Sequence, residues 1–435
     1  MKLSPDIRAA VALFAATFAI FLASHVRQVA DSNYSMLLSH NLLAHGSVLL
    51  DDYVIPGFDR TQPTGYGSAN PLPLEVVNGH VYYWYPPGSS VLSLPYVALM
   101  NAIGLSPVTA DRTFNYEGEK VIQTRLAALL MAGLTVTVFF TARLLLPLGW
   151  SAVIALSTAL GTQVWSTASR GLWSDTWGIF LLGLVVRMLL AQETGRSRLR
   201  PVLLASLLSW TYFVRPTFSV PILGVTLYLL ICHRSLLVPY AATGAAWCAG
   251  FVGYAWPHFG HVLPSYYLLA TWLNVDSLRR GLLVNLISPS RGLLVFVPII
   301  AFVAYLLIRY ARDLPARGLV VLSVGIVVTH LFAVSGFPIW WAGYCYGARF
   351  STGLVPWFAL LAIIGIKARA LSGDTCPRWR SADLVVGGAL LAISVTMNGI
   401  GANSGRAAAW NARPVSVDEQ PERVWDWRHP QFLAK

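Results

Sequence analysis

Two aspartates stand where a carboxylate at a membrane surface could remove a proton. Asp31 lies in Arg27-Gln28-Val29-Ala30-Asp31-Ser32-Asn33-Tyr34, just after the first long apolar stretch. Asp175 ends the short run Ser169-Arg170-Gly171-Leu172-Trp173-Ser174-Asp175 between two later ones. Partial desolvation makes a carboxylate a better proton acceptor, and ionisable groups beside hydrocarbon are costly enough to mark function. Helix N-caps use the same residue types. Helical spacing follows Asp31 in Tyr34, Leu37, Leu38, Asn41, Leu42 and His45, so base and cap are equal alternatives on spacing alone, and the same holds for Asp175.

Four arginines accompany them: Arg170; Arg215, before Pro216; Arg291, in Ser288-Pro289-Ser290-Arg291-Gly292; and Arg349, near the end of Trp340-Trp341-Ala342-Gly343-Tyr344-Cys345-Tyr346-Gly347-Ala348-Arg349-Phe350. The planar guanidinium fork matches phosphate oxygens. A protein carboxylate would account for any one of them, but four at comparable positions point also to a bound anion. The stretch Asn78-Gly79-His80-Val81-Tyr82-Tyr83-Trp84-Tyr85-Pro86-Pro87-Gly88 reads first as headgroup-level belt residues, although such rings also stack on sugars. His258 and His261 flank Phe259 with no third ligand at metal spacing. No metal or cofactor site is assigned, and a divalent-metal requirement is left open. Cys232, Cys248, Cys345 and Cys376 form no CxxC pair. P-loop, G-x-S-x-G and H-E-x-x-H signatures are absent, which disfavours nucleotide-driven and hydrolase chemistry.

The elements that position these residues follow from composition. Of 435 residues, 56% are hydrophobic and 11% charged, against about 25% charged in soluble domains. A bilayer is the expected solvent. The formal charge of +12 does not mean nucleic acid, because no basic stretch is interleaved with aromatics. Apolar runs of spanning length or nearly so occur at 7–26, 121–145, 150–168, 175–192, 201–214, 217–232, 236–257, 291–309, 317–335, 350–366 and 382–399. The expectation is an all-α bundle of about eleven transmembrane helices, its first helix an uncleaved span.

The segment Ser89–Ile103 is ambiguous, and charge decides it. If it does not cross, one side collects Lys2, Arg8, Arg143, Arg196, Arg198, Arg200, Arg234, Arg309, Arg312, Arg317, Lys367, Arg369, Arg378 and Arg380. This is a positive-inside pattern, so 89–103 is read as an interfacial or re-entrant helix. The N-terminus is then cytoplasmic and the C-terminus extracytoplasmic. The outer parts are 27–120, 169–175, the vicinity of 215, 258–290, 336–349 and 400–435. Residues 1–399 form the membrane module, with 27–120 as its first outer loop, and 400–435 form a short outer tail.

Several pieces resemble the GT-C fold of lipid-phosphate-sugar-dependent glycosyltransferases, a family that includes protein O-mannosyltransferases and the aminoarabinose transferase of lipid A. They are Asp31–Tyr34 with Ala44-His45-Gly46, Tyr85-Pro86-Pro87-Gly88 with Pro95, and Gln123-Thr124-Arg125-Leu126. The run ending in Gly347-Ala348-Arg349-Phe350 is similar to a bacterial G-x-R-[FY] pattern, and Pro421–Pro430 is similar to a C-terminal signature of one subgroup. The resemblance implies a glycosyltransferase of the bacterial inner membrane using a polyprenyl-phosphate sugar and a hydroxyl acceptor on a glycan, lipid or protein. It implies Asp31 as catalytic base with Asp175 as second acid, and Arg291 and Arg349 on the donor phosphate, to which Arg215 and Arg170 are added by their position at helix ends. Tyr34, Tyr85, Trp341, Tyr344 and Tyr346 are the rings expected to meet substrate. Subgroup likeness suggests a pentofuranose such as arabinofuranose. The chain departs from the family in having Ser32 rather than a second acid after Asp31, and in its short tail.

The competing class is a transporter or flippase of lipid-linked saccharides. It would carry polar residues along the middle of several spans and internal repeats, neither of which stands out. An assembly partner would leave Asp31 and the arginines replaceable. A membrane O-acyltransferase would need a deep histidine, for which His330 is the one candidate.

Overall fold

Within hydrocarbon a backbone must satisfy its own polar groups, so long apolar stretches become helices. A computed structural model describes residues 4–64, 70–71, 73–268, 274–372 and 377–434. Lys2, Cys376 and the side chains of Arg378 and Arg380 lie outside the described residues. In chain order the helices are α1 (Pro5–Ala23), α2 (Ser35–His45), α3 (Gly88–Leu92), α4 (Leu94–Ala102), α5 (Tyr116–Ala142), α6 (Leu148–Leu160), α7 (Ser174–Glu193), α8 (Pro201–Val214), α9 (Ser219–Cys232) and α10 (Leu237–Phe259). They continue with α11 (Val275–Ile287), α12 (Leu293–Phe296), α13 (Ile299–Arg309), α14 (Arg317–Ser335), α15 (Val355–Leu371), α16 (Pro377–Asn403) and α17 (Gly405–Ala409). One hairpin, β1 (Leu74–Val77) with β2 (His80–Tyr83), interrupts the first loop.

Among the described residues, seven helices are long and apolar enough to cross a membrane: α1, α5, α7, α14, and the helices of Arg234–Phe259, Arg349–Leu371 and Ser381–Asn403. Four apolar helices are shorter, Leu148–Leu160, Pro201–Val214, Pro216–Cys232 and Ile299–Arg309. Every apolar run of the sequence is therefore helical, and seven of these helices are long enough to cross by length alone.

Two expected spans are broken for local reasons. The 150–168 run stops at Leu160 and resumes as a π-helical turn at Val164–Ala168, where Gln163 leaves the helix to donate to the Ala348 carbonyl (3.2 Å). The 291–309 run divides at Pro298, whose ring and missing N–H cannot continue a helix. The segment 89–103 forms two short helices joined at Ser93. Their combined rise is roughly 22 Å, less than the hydrocarbon thickness of about 30 Å.

Helix α5 is the axis of the bundle, packed against α1, α6 and α7. The first loop has its own core of Tyr34, Leu37, Leu38, Leu50, Tyr53, Leu74, Val81, Tyr83, Tyr85 and Phe114. Its hairpin turns at Asn78-Gly79, with φ of 53° and 83°, the left-handed pair that a two-residue turn requires. The tail is fixed in place rather than loose. Trp410, Val417 and Val424 pack with Val284 and Trp340, and Gln431 is fully buried.

Candidate functional site

The chain leaves α1 and meets the loop before α7 at once. Gln28 N–H donates to the Arg170 carbonyl (2.8 Å), and a Cβ at Gly171 would lie 2.2 Å from the Gln28 carbonyl oxygen. Only glycine permits this approach, which brings the segments carrying Asp31 and Asp175 side by side. After Gln28 the chain turns tightly, with Asn33 N–H on the Ala30 carbonyl (3.0 Å) and Ser35 N–H on that of Ser32 (3.1 Å). Tyr34, at φ 71°, then starts α2.

Glu119 decides what Asp31 is free to do. The first amides of α2 have no intrahelical acceptor, and the cap residue Tyr34 offers no side-chain bond. The fully buried Glu119 carboxylate of α5 takes those of Met36 (2.9 Å) and Leu37 (3.0 Å) instead. Gln123, one turn on, donates to Glu119 (2.7 Å) and to the Ser32 carbonyl (2.7 Å), and accepts from Leu172 N–H (3.2 Å). Asp31 is thus not the cap of α2. Asp175 lies in the first turn of α7, whose cap residue Trp173 makes no side-chain bond.

Both aspartates face arginines. Asp31 is paired with Arg349, and Asp175 with Arg215. The Arg349 guanidinium also stacks over Trp173, 3.7 Å from the ring centroid. The Asp31 side chain is 31% exposed, whereas Asp175, Arg349 and Arg215 are 5%, 10% and 11% exposed. Asp31 is therefore the carboxylate that a reactant can reach. Tyr266 lies within the electrostatic reach of all four and packs on Trp84 and Tyr85. Tyr83 donates its hydroxyl to the Asp31 carbonyl (3.0 Å). Burial pushes the Tyr83 and Tyr266 phenols up, so both remain neutral. His330 Nε2 donates to the Phe350 carbonyl (3.0 Å), fixing the backbone beside Arg349.

The arginines differ in what their donors do. Among the described residues, only the Asp31 bond engages Arg349 donors, and its buried Nε has no partner; Arg215 is bonded to Asp175. Arg291 is buried with all five N–H donors occupied, by Trp341, Ser290 and Gly343 carbonyls and by Gln431 and Asn411 side chains. It clamps the tail and the 340s loop together, leaving no donor for a phosphate. Arg170 commits four of its five donors, to the Phe21 and Ser24 carbonyls at the end of α1 and to the Ser169 hydroxyl.

The expected aromatics divide in the same way. Tyr34 is buried, 4.5 Å from Phe114, and Tyr85 lines the cluster with Tyr83 and Tyr266. Trp341 donates to Asp418 (2.7 Å), and the half-exposed Tyr344 bonds Ser416 (2.8 Å), both in the tail. Tyr346 is buried, with its hydroxyl on the Met397 carbonyl (2.8 Å). Among the described residues no group of three or more His, Cys, Asp or Glu side chains converges.

Sequence reasoning passed over Glu119 and Tyr266, and assigned no individual role to Gln123, Trp173 or Tyr83. A signal existed for Glu119 and Gln123, because an acid and an amide one helical turn apart at the start of an apolar span are costly unless partnered. The others were legible only as aromatics.

No family model matches the sequence, and no curated protein matches it. Solved structures do match. Over 94% of this chain and 68% of the other, the fold matches the crystal structure of ArnT from Cupriavidus metallidurans bound to undecaprenyl phosphate, at 15% identity and a TM-score of 0.50. It also matches the Archaeoglobus fulgidus oligosaccharyltransferase tethered to an acceptor peptide with the NVT sequon, at 13% identity and a TM-score of 0.55. That match covers 97% of this chain and 59% of the other, and the apo form of the same enzyme matches at 10% identity and 0.52. This chain thus spans about three fifths of the oligosaccharyltransferase. The fold is that of the GT-C membrane transferases.

Proposed function

We propose that this chain is a membrane glycosyltransferase that moves a sugar from a polyprenyl-phosphate donor to a hydroxyl acceptor on the extracytoplasmic face. The observation that carries this reading is the paired arrangement Asp31–Arg349 and Asp175–Arg215. One reachable carboxylate stands beside a buried arginine whose remaining donors have no partner among the described residues. The fold likeness to ArnT bound to undecaprenyl phosphate supports a lipid-phosphate donor.

The reaction is a single displacement with inversion. The acceptor oxygen attacks the anomeric carbon and gives its proton to the Asp31 carboxylate. The anomeric carbon–oxygen bond breaks, and its electron pair leaves on the polyprenyl phosphate. The transition state is oxocarbenium-like, so charge grows on the phosphate as it departs. Arginine contacts then strengthen, which is the differential binding that lowers a barrier. Arg349 links the two events. A phosphate drawing its guanidinium away releases Asp31 to act on the acceptor, so the base is freed only when a donor is bound. Asp175 holds Arg215 for the same phosphate, and Arg291 and Arg170 serve as struts.

Charge supports this side of the membrane. Arg143, Arg196, Arg198, Arg200, Arg234, Arg309, Arg312, Arg317, Lys367 and Arg369 lie at the helix ends opposite Asp31, where positive loops face the cytoplasm. The sugar is tested directly by incubating purified protein with a panel of polyprenyl-phosphate sugars, including a pentofuranosyl donor such as arabinofuranose, and measuring binding and hydrolysis. Charge-assisted hydrogen bonds predict that R349M weakens donor binding by about 10- to 100-fold. R291M should destabilise the protein while leaving donor affinity near wild type. Loss of donor affinity in R291M with retention in R349M would overturn the assignment.

A further inference from the structure

Two arginines outside the paired cluster carry charge on the bundle's outer surface with no carboxylate to meet it among the described residues. Helix α5 shows its neighbours' outward side a stripe of Val121, Arg125, Leu129 and Val136, and Arg125 is exposed in that stripe. Among the described residues it makes no hydrogen bond or ion pair. The preceding residue, Thr124, accepts one bond from the exposed Arg27 (2.8 Å), whose other donors have no partner among the described residues. Neither acid at this end of α5 is available. Glu117 is paired with Lys120 (2.6 Å), and Glu119 is buried on α2.

The depth of Arg125 fits a headgroup plane. Arg143, at the opposite end of α5, pairs with Asp6 (3.1 Å). The rise between the two arginines along the helix is about 27 Å, close to the hydrocarbon thickness of about 30 Å. The spacing suits one arginine at each face of a bilayer. Beside Arg125 lies α4, close enough for its charge to act on the Tyr96 phenol. The exposed positions of α4 and its cap are Pro95, Ala98, Leu99, Ala102 and Ile103, an entirely apolar face suited to acyl chains. Cationic groups at headgroup level above an apolar face complement a lipid whose phosphate carries net negative charge.

We propose that Arg27 and Arg125 bind the phosphate of an anionic phospholipid of the leaflet on the Asp31 side, with its acyl chains along α4. The lipid bridges the end of α1, α4 and α5 around the Glu119–Gln123 anchor. This site is separate from the Asp31–Arg349 pair and does not depend on glycosyl transfer.

The test compares wild type, R27A/R125A and R27K/R125K in nanodiscs of phosphatidylcholine with or without phosphatidylglycerol. Retained lipid is counted by native mass spectrometry and melting temperature is measured. Phosphatidylglycerol should be retained by wild type, and its retention should fall by about 25-fold in the alanine pair, given about fivefold per basic residue at a charged surface. The lysine pair should keep most of it. Melting in pure phosphatidylcholine shows that the alanine pair folds, so a difference confined to phosphatidylglycerol reports binding. Equal retention of both lipids by wild type, or unchanged retention in the alanine pair, would overturn the proposal. Undecaprenyl phosphate forms a third arm, and loss of that lipid alone in the alanine pair would assign these arginines to the donor instead.

Discussion

Replacing Glu119 with glutamine keeps the side chain's shape and removes one acceptor oxygen together with its charge. The carboxylate serves Met36 and Leu37 amides and the Gln123 side chain from a fully buried position. In the variant the amide –NH2 faces at least one α2 N–H. A buried donor left unsatisfied costs about 1–3 kcal/mol, and removing a negative charge from a helix N-terminus adds roughly 0.3–1 kcal/mol. Together this is about 1.3–4 kcal/mol, or roughly 10- to 700-fold in the local opening equilibrium of the turn and α2. Hydrogen exchange read by mass spectrometry should show residues 31–45 exchanging faster by about that factor, with α7 and α14 unchanged. Because Asp31 rides on this turn, kcat should fall with little change in donor KM. Unchanged exchange in 31–45, or an equal rise throughout the bundle, would refute the claim that Glu119 positions this turn.

The other pair and the hairpin give further expectations. D175N leaves Arg215 buried without its counter-ion, so thermal stability should drop by about 3–5 kcal/mol, and D175N/R215M should recover much of it without recovering transfer. Burial pushes the Glu75 carboxyl up to about 7, partly offset by its hydrogen bond with Ser265. Between the ordinary carboxylate range and pH 7 the folded hairpin then holds a proton that the unfolded chain has lost, so stability is highest below that window and declines as pH rises through it. Melting temperature measured from pH 4 to 8 should show this slope in wild type, and E75Q should flatten it.

How much of this was legible in the sequence depends on the range of the interaction. Apolar runs are local, and each became a helix. Their interruptions required chemistry at single residues, such as Pro298, which hydropathy averages away. Asp31, Asp175, Arg215 and Arg349 were legible as ionisable groups at the ends of apolar runs. That Asp31 would meet Arg349 was not, because more than 300 residues separate them in the chain. Residue type also cannot tell a free guanidinium from an engaged one, which is why Arg291 and Arg349 looked alike until their donors were counted. The hairpin did carry its signal, Asn78-Gly79 between alternating apolar residues, but the surrounding aromatics drew the reading toward a membrane belt.

Asp31 bears the central claim, and D31N tests it most directly. The variant preserves size and leaves Tyr83 and the Ala30–Ser35 turn bonded to backbone atoms, so the turn should stay folded, while the uncompensated Arg349 charge lowers the melting temperature as Arg215 does in D175N. With a polyprenyl-phosphate sugar and an acceptor that wild type uses, the expected result is donor binding retained and transfer reduced by at least about 100-fold, the usual contribution of a general base. Transfer by D31N at a rate near wild type would contradict it.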